Sequence, residues 1–261
     1  KGMNAESEPY HGYFYKVLTR QGGHAPGGAY DYVVDGRMIG GFALVAYPAR
    51  HGASGVRTFI VSHAGTVFAR DLGRQTVEKA RAIYDWICDN TFRDPKTRGC
   101  GTGDIKYMLE SRNLSGKCAD LNALYVGLAR AAGLPARDVY GIRVAKSEHG
   151  YKSLGAGTEN ITKAQHCRAE VFLSGFGWVP VDPADVRKVV LEEQPANLPL
   201  TDTKVVDARK ALFGSWEMNW LAYNVAHDIV LPGAKGPTLE FFMYPQAETV
   251  AGRLDCLDPD T

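Results

Sequence analysis

The first third of the chain alternates apolar and polar residues in short runs, the pattern of β-strands with one buried face. Aromatic and β-branched residues dominate these runs, and tight-turn signals such as Asp35-Gly36 separate them. Neighbouring strands joined by tight turns pair antiparallel. We therefore predict a small antiparallel β module over residues 1–73, with strands at 11–19, 30–34, 38–47, 56–62 and 66–70.

After Gly73 the spacing of apolar residues changes to that of amphipathic helices alternating with strands. Thr76 is a plausible cap for the first helix, and Gly133 followed by Leu134-Pro135 is a stop signal for the third. We predict a second domain over residues 74–261, with an α+β fold. Its predicted helices lie at 77–90, 105–112, 118–132 and 205–213, and its strands at 137–144, 166–173, 178–181 and 239–244.

The composition excludes several kinds of function. Apolar residues make up 45% of the chain and charged residues 23%, which are values of an ordinary globular protein. The formal net charge of +1 gives no electrostatic basis for nucleic-acid or anionic-membrane binding. No apolar run approaches the ~20 residues of a membrane span, and no signal peptide is recognisable. We expect a soluble chain without nucleic-acid partners. Its oligomeric state is left open, and so is its compartment, with the bacterial periplasm and secretion as candidates.

The five cysteines are too few for a disulfide scaffold in 261 residues. They form no CxxC pair, and the chain has no HExxH motif, so we expect neither a metal site nor a cofactor. Cys100 could form a disulfide with Cys88 or act as a resolving thiol. The favoured interpretation is that both cysteines are buried free thiols. The cysteines are Cys88, Cys100, Cys118, Cys167 and Cys256.

Three polar residues fall where the predicted elements would bring them together. Cys118 opens the third helix, where unpaired backbone amides and the helix dipole lower a thiol pKa. His166 lies on the polar face of a strand, and Asp182 ends the next strand. A hairpin through 175–177 would make these two strands neighbours. The three residue types suit nucleophilic catalysis, with a thiolate as nucleophile, an imidazole as base and acid, and a carboxylate that orients the imidazole.

Alternatives to these assignments exist. Asp120 and Asp185 compete with Asp182 for the role of the orienting carboxylate, although Asp120 is two residues from Cys118 on a helix and faces elsewhere. Cys167 is predicted in the core, on the strand face opposite His166. The backbone N–H of Cys118 can donate to a developing oxyanion. An aromatic cluster is predicted to cover the core, or alternatively to line a substrate groove: Phe213, Trp216, Trp220 and Tyr223.

Three motifs together resemble the transglutaminase-like superfamily, a branch of the papain-like cysteine-nucleophile fold. They are EKARAIYDWICDN (78–90), GKCADLNALYVGLARAAGLPAR (116–137) and QHCRAEVFLSGFGWVPVDPADVRK (165–188). The resemblance covers residues ~76–245 and implies a helix bearing the nucleophile packed on an antiparallel sheet. It implies Cys118 as nucleophile, His166 as general base and acid, and Asp182 as the orienting carboxylate. Residues 9–72 resemble a module of bacterial envelope proteins that has no known function, and this likeness implies no chemistry.

The resemblance implies acyl transfer at an amide carbonyl of a protein or peptide substrate. Some members of the superfamily use an upstream tryptophan as a second oxyanion donor, whereas this chain has only 98–103 there, without a tryptophan. We therefore expect a hydrolytic cysteine peptidase or amidase. The alternatives are a protein–glutamine crosslinking enzyme, a non-catalytic binding protein that retains the fold, and peptide deglycosylation, for which the zinc-binding CxxC pairs are missing.

Overall fold

The computed structural model describes residues 8–23, 25–51, 53–70 and 75–258. They fall into two compact units. The first contains the chain up to Glu78 together with Leu173–Gly177, and the second contains Lys79–Phe172 and the chain from Trp178 onward. The predicted boundary between residues 73 and 74 lies outside the described residues and stays a prediction.

The first unit is built on a four-stranded antiparallel sheet, as predicted. The order of its strands is β1-β6-β7-β8, and two short ladders, β2-β3 and β4-β5, accompany it. Asp35 and Gly36 turn between β4 and β5 with φ angles of 49° and 74°, as a two-residue hairpin requires. The strands are β1 Tyr13–Leu18, β2 Arg20–Gln21, β3 Tyr30–Asp31, β4 Val33–Val34, β5 Arg37–Met38, β6 Ala43–Pro48, β7 Thr58–Ser62 and β8 Val67–Arg70.

The predicted strand over 38–47 is wrong in its first half, because β5 ends at Met38 and β6 begins at Ala43. The interruption follows from two glycines. The Gly40 N–H donates to the Tyr32 carbonyl at 2.9 Å, and Gly41 has a φ of +135°. That conformation is open to glycine and takes the chain out of the strand.

The second unit combines helices with a four-stranded antiparallel sheet of order β13-β12-β11-β14. The predicted α+β fold is confirmed. Short ladders join β9 with β10, β15 with β16 and β17 with β18. The helices are α1 Gln75–Asn90, α2 Ile105–Ser111, α3 Cys118–Ala131, α4 Pro183–Glu192 and α5 Thr203–Ala211, with a 3₁₀ turn at Lys152–Leu154. The strands are β9 Phe92–Arg93, β10 Ser115–Gly116, β11 Ala136–Arg143, β12 Gln165–Leu173, β13 Gly177–Val181, β14 Trp220–Asn224, β15 His227–Ile229, β16 Leu239–Phe241, β17 Glu248–Thr249 and β18 Gly252–Arg253.

The core of the second unit lies between α3 and the sheet. Leu121, Leu124 and Tyr125 of α3 are completely buried, and α3 packs on β11. The helix ends where the sequence predicts, because Gly133 has a φ of +84° and the Leu134 N–H donates back to the Ala129 carbonyl. This packing fixes the N-terminal end of α3, and with it Cys118, against the sheet.

Helix α4 was not predicted, and it follows directly after β13. Its N-cap is Asp182, whose carboxylate accepts the Asp185 N–H, and Pro183 occupies the first turn. From the sequence, Asp182 was predicted only as the orienting carboxylate, and its capping role was not predicted. No α-helix in the described part of the chain is both long and apolar enough to cross a bilayer.

Candidate active site

Cys118 is the first residue of α3, as predicted, and is buried. Two hydrogen bonds hold the backbone around it. The Ala119 N–H donates to the Cys100 carbonyl at 2.8 Å, and the Lys117 N–H donates to the Asp120 carboxylate at 2.9 Å. The backbone N–H of Cys118 donates none of the hydrogen bonds found among the described residues outside helices and strands. This donor is therefore free for a substrate oxygen.

Asp120 braces the segment that faces Cys118. Besides Lys117, its carboxylate accepts the N–H groups of Thr102 at 2.9 Å and Gly103 at 3.0 Å. A Cβ on Gly101 or Gly116 would lie 1.9 and 2.4 Å from Asp120 Oδ2, so both positions require glycine. Asp120 is thus tied to backbone amides, and the structure does not bring it to the imidazole of His166.

His166 and Asp182 lie side by side and are both buried. His166 Nε2 is 2.7 Å from Asp182 Oδ2. The hairpin that the sequence predicts therefore brings these two residues together. Because a carboxylate only accepts hydrogen bonds, Nε2 carries the proton, which leaves Nδ1 for the thiol side of the ring.

The second oxygen of Asp182 is also occupied. Oδ1 accepts the Asp185 N–H at 3.1 Å and the Asn122 side-chain amide at 3.2 Å. Arg168 Nε lies 3.4 Å from Oδ2. Burial and the nearby Asp185 raise the pKa of Asp182 more than His166 and Arg168 lower it, so that the net shift is upward.

The thiol of Cys118 lies among several groups that stabilise its anion. The neighbouring thiols of Cys100 and Cys167 are the largest influences and, with His166, hold the pKa of Cys118 well below its usual value despite burial. Cys100 Sγ lies 3.4 Å from the Gln165 carbonyl. Cys167 is in the core, as predicted, but its contact with Cys118 was missed.

His166 responds in the opposite direction. Burial and Arg143 lower its pKa, but Asp185, Asp182 and Cys118 more than compensate, so that the pKa of His166 is raised above 6.5. A lowered cysteine pKa and a raised histidine pKa together favour a thiolate–imidazolium pair.

Asp185, the competing carboxylate, is held by a different partner. Arg143 Nη2 lies 2.5 Å from Asp185 Oδ1, while His166 Nε2 is 3.4 Å from that oxygen. Burial raises the pKa of Asp185, but Arg143 and His166 lower it further, so the net shift is downward. The shorter contact to His166 belongs to Asp182.

Ligand atoms of His166, Asp182 and Asp185 lie within 4.8 Å of one another, a spacing that a metal ion could use. Each of them already has a hydrogen-bond or ion-pair partner, and the guanidinium groups of Arg143 and Arg168 neutralise the two carboxylates. The donor set therefore fits a hydrogen-bond network better than a cation site.

Cys118 and His166 line a cavity of about 900 Å³. The segment 155–164 and the residues from Tyr244 to Asp258 supply much of the remaining wall. The hydroxyl of Tyr244 is buried and has no hydrogen-bond partner in the part of the chain that the structure describes. Tyr244 lies close enough to Cys100 and Cys118 for both to influence its pKa. No motif in the sequence pointed to this residue.

The tryptophans of the aromatic cluster do not line the cavity. The indole N–H of Trp216 donates to the Val181 carbonyl at 3.2 Å, and that of Trp220 to the His166 carbonyl at 3.0 Å. The Arg168 guanidinium stacks over both rings. These indoles support the backbone of β13 and of β12, the strand that carries His166.

Two family models match the chain. The model described as "Transglutaminase-like superfamily" matches residues 67–183, which include Cys118, His166 and Asp182. The model described as "Protein of unknown function (DUF2950)" matches residues 1–94. The two matches overlap over residues 67–94, a range that includes α1, and agree with the two resemblances that the sequence motifs indicate.

A protein of Haemophilus influenzae named "Uncharacterized protein" is 44% identical over 199 residues. The alignment covers 72% of this chain and 53% of the relative, so the chain spans about half of that protein's length.

Two solved structures are similar to parts of the chain. A "Putative Cysteine Protease" from Cytophaga hutchinsonii is 24% identical with a TM-score of 0.29, over 40% of this chain and 30% of its own. The periplasmic domain of TgpA from Pseudomonas aeruginosa, bound to ethylmercury, is 15% identical with a TM-score of 0.28, over 70% of this chain and 87% of its own. Similarities at these TM-scores support no argument about function.

Proposed function

We propose that this protein is a cysteine-dependent acyl transferase that hydrolyses an amide, because residues 67–183 match the model of the transglutaminase-like superfamily. Cys118 is the nucleophile, His166 the general base and acid, and Asp182 the orienting carboxylate. The observation that carries the proposal is the cavity wall itself, which the Cys118 thiol, with its lowered pKa, shares with an imidazole whose Nε2 lies 2.7 Å from a carboxylate oxygen.

In the first half-reaction, the Cys118 thiolate attacks the carbonyl carbon of the substrate amide. A C–S bond forms, and the carbonyl electron pair moves to oxygen. When the tetrahedral intermediate collapses, the C–N bond breaks and the His166 imidazolium gives its Nδ1 proton to the leaving amine. The products are a free amine, an acyl-thioester on Cys118 and a neutral imidazole.

In the second half-reaction, the neutral His166 takes a proton from water as the water oxygen attacks the thioester carbon. Collapse of this second intermediate breaks the C–S bond and releases a carboxylic acid. The thiolate and the imidazolium are regenerated. Atoms balance with one water consumed per amide cleaved.

Asp182 keeps the ring in the required orientation throughout. Its bond to Nε2 fixes the tautomer, so that Nδ1 faces Cys118 in both half-reactions. The negative charge also stabilises the imidazolium. Asp182 is itself fixed by Asn122 and by the N-terminus of α4, and the imidazole is therefore positioned before substrate binds.

Two donors are available for the oxyanion of the tetrahedral intermediates. One is the backbone N–H of Cys118, and the other is the unpartnered hydroxyl of Tyr244 in the same cavity. The indoles of Trp216 and Trp220 are not available, because both donate to backbone carbonyls. The lack of a free indole at the cavity favours water over a crosslinking amine as acceptor.

Incubation of a peptide library with the wild-type protein and with Cys118→Ala tests the proposal, with mass spectrometry of the products. We expect cleavage or deamidation with the wild-type protein only. Mass gain from amine incorporation would instead identify a crosslinking enzyme. No turnover, together with equal iodoacetamide labelling of all cysteines, would leave a binding protein and refute the proposal.

A further inference from the structure

Most of the charged residues that line the cavity holding Cys118 are cations. Among the residues that the structure describes, the acidic ones in its wall are Asp255 and Asp258. The basic residues of the wall come from separate parts of the second unit and converge on one space: Arg93, Arg98, Lys117, Arg143, Lys163 and Lys188.

Some of these charges are neutralised within the protein. Arg98 pairs with Asp255, and Arg143 pairs with Asp185 at 2.5 Å. Arg93 and Lys188 share one carboxylate, that of Glu192, at 2.5 and 3.7 Å. Two cations on a single carboxylate leave one positive charge without a partner of its own.

Two further lysines have no ion-pair partner in the described part of the chain. Lys117 directly precedes the nucleophile and is half-buried. Lys163 is exposed at the end of the segment 155–164. Both line the cavity, and their ammonium groups add to the excess positive charge beside Cys118.

The cations are close enough to affect one another. Lys188 is half-buried, and its pKa is lowered first by burial and then by the positive charge of Arg143, with a further contribution from Arg93. Arg143 in turn interacts with the Cys118 thiolate. Like charges held together in a water-poor space repel each other, and an anionic ligand relieves that repulsion.

We propose that Arg93, Lys117, Lys163 and Lys188 form a cationic wall that binds a carboxylate of the substrate. The inference rests on the proposed function for the reaction, but the binding of an anion does not depend on it. Since the proposed reaction acts on amides, the substrate class is an acidic peptide with a carboxylate close to the scissile bond. The cavity volume of about 900 Å³ has room for several residues of such a peptide.

Alkylation of Cys118 by iodoacetate and by iodoacetamide tests the wall without knowledge of the substrate. The two reagents differ in charge, and mass spectrometry of the labelled peptide gives the rate at Cys118. We expect the ratio of the iodoacetate rate to the iodoacetamide rate to exceed that of N-acetylcysteine by about 3- to 10-fold. At high ionic strength, the rate ratio at Cys118 relative to that of N-acetylcysteine should fall towards 1, because salt screens the charges of the wall.

Substitutions locate the effect. Lys163→Met and Lys188→Met should each lower the iodoacetate rate about 3-fold and leave the iodoacetamide rate of Cys118 nearly unchanged. Lys106→Met is the matched control, because Lys106 is an exposed lysine of α2 that does not line the cavity. Lys163 is exposed, so its variant should fold even if the variant of the half-buried Lys188 does not.

A peptide arm extends the test to turnover. For pairs of peptides that differ only by Glu or Gln beside the scissile amide, we expect a KM several-fold lower for the Glu peptide, and Lys163→Met should remove the difference. Equal KM values for each pair would overturn the inference. Better protection of Cys118 by inorganic phosphate than by N-acetylglutamate would overturn the assignment to a carboxylate.

The failure of this inference is distinct from that of the proposed function. Rapid neutral alkylation of Cys118 without preference for iodoacetate would overturn the cationic wall and leave the triad intact. Slow alkylation of Cys118 by both reagents, at the rate of an ordinary thiol, would instead refute the activated nucleophile.

Discussion

The two carboxylate oxygens of Asp182 serve different parts of the molecule. Oδ2 accepts the hydrogen bond of His166, and Oδ1 caps α4 through the Asp185 N–H. Removal of the whole side chain would therefore disturb the fold as well as the site. A useful substitution has to retain the cap and change only the interaction with the imidazole.

Asp182→Asn meets that condition, because an asparagine side chain also caps helices. We expect kcat to fall about 10²- to 10⁴-fold, because the amide favours the wrong imidazole tautomer and no longer stabilises the imidazolium. The unfolding midpoint should change little. Asp202→Asn, at the exposed N-cap of α5, is the matched control and should leave kcat unchanged. An equal loss of activity in both variants would point to a structural effect.

The thiol of Cys100 has a measurable role in the same site. This neighbouring thiol is the largest influence that lowers the pKa of Cys118. We expect Cys100→Ala to raise the pKa of Cys118, so that the iodoacetamide rate at Cys118 rises at higher pH than in the wild-type protein. Cys256→Ala, also at the cavity, is the control and should leave this profile in place. An identical profile for Cys100→Ala would contradict the contact.

Tyr244 can be separated from the nucleophile by experiment. We expect Tyr244→Phe to lower kcat about 10²-fold, because one oxyanion donor is lost. The iodoacetamide rate at Cys118 should stay the same, since alkylation forms no oxyanion. A fall in both kcat and the iodoacetamide rate would mean that Tyr244 acts on the Cys118 thiol.

At the level of elements, the N-terminal end of α3 depends on one buried side chain. Asp120 ties Thr102, Gly103 and Lys117 together through their backbone N–H groups. The strand order and this brace place the segment 99–103 opposite Cys118. The geometry of the nucleophile is therefore set by an acid that takes no part in the proposed chemistry.

Asp120→Ala should destabilise the second unit by about 2–4 kcal/mol, because three backbone donors lose a charged acceptor. Urea unfolding followed by tryptophan fluorescence is a suitable measurement, since all four tryptophans lie at or after position 86. Asp104→Ala removes only the exposed cap of α2 and should cost about 1 kcal/mol. Equal midpoints for the two variants would show that Asp120 is no brace.

Local patterns predicted the positions of Cys118 and His166 because each lies at the beginning of an element with a clear period. They did not predict α4, although Asp182-Pro183 with Asp185 is a recognisable helix start. Asp182 was interpreted only as a candidate catalytic carboxylate, so this helix start was not recognised. The strand β14 was missed as well, because its pairing with β11 is a long-range contact.

For the whole molecule, activity should depend on pH in a bell shape. The thiolate forms as the pH rises through the lowered pKa of Cys118, below the ordinary 9.0, and the imidazolium is lost as the pH rises through the raised pKa of His166, above 6.5. We expect kcat/KM to be highest between these two values. A profile that rises steadily up to pH 9 would indicate an ordinary thiol.

The three proposed catalytic residues could be inferred from the sequence, but the cavity could not. Arg143, Tyr244 and Lys163 lie on separate elements, and only the assembled fold brings them to one space. The spacing of apolar residues along the chain carries no information on contacts between residues so far apart in sequence. The family resemblance indicated the chemistry, whereas the charge of the cavity emerged only from the tertiary structure.

Asp182 both bonds to His166 and caps α4, and this double role affects how related sequences should be interpreted. A descendant that has lost its enzymatic activity would still be stabilised by an aspartate there, because its side chain caps α4. Its retention is therefore a poor marker of activity. Cys118 caps nothing, and a pseudoenzyme could exchange it for another small residue at little structural expense. In a survey of relatives, the presence of cysteine at position 118 is the better indicator of activity.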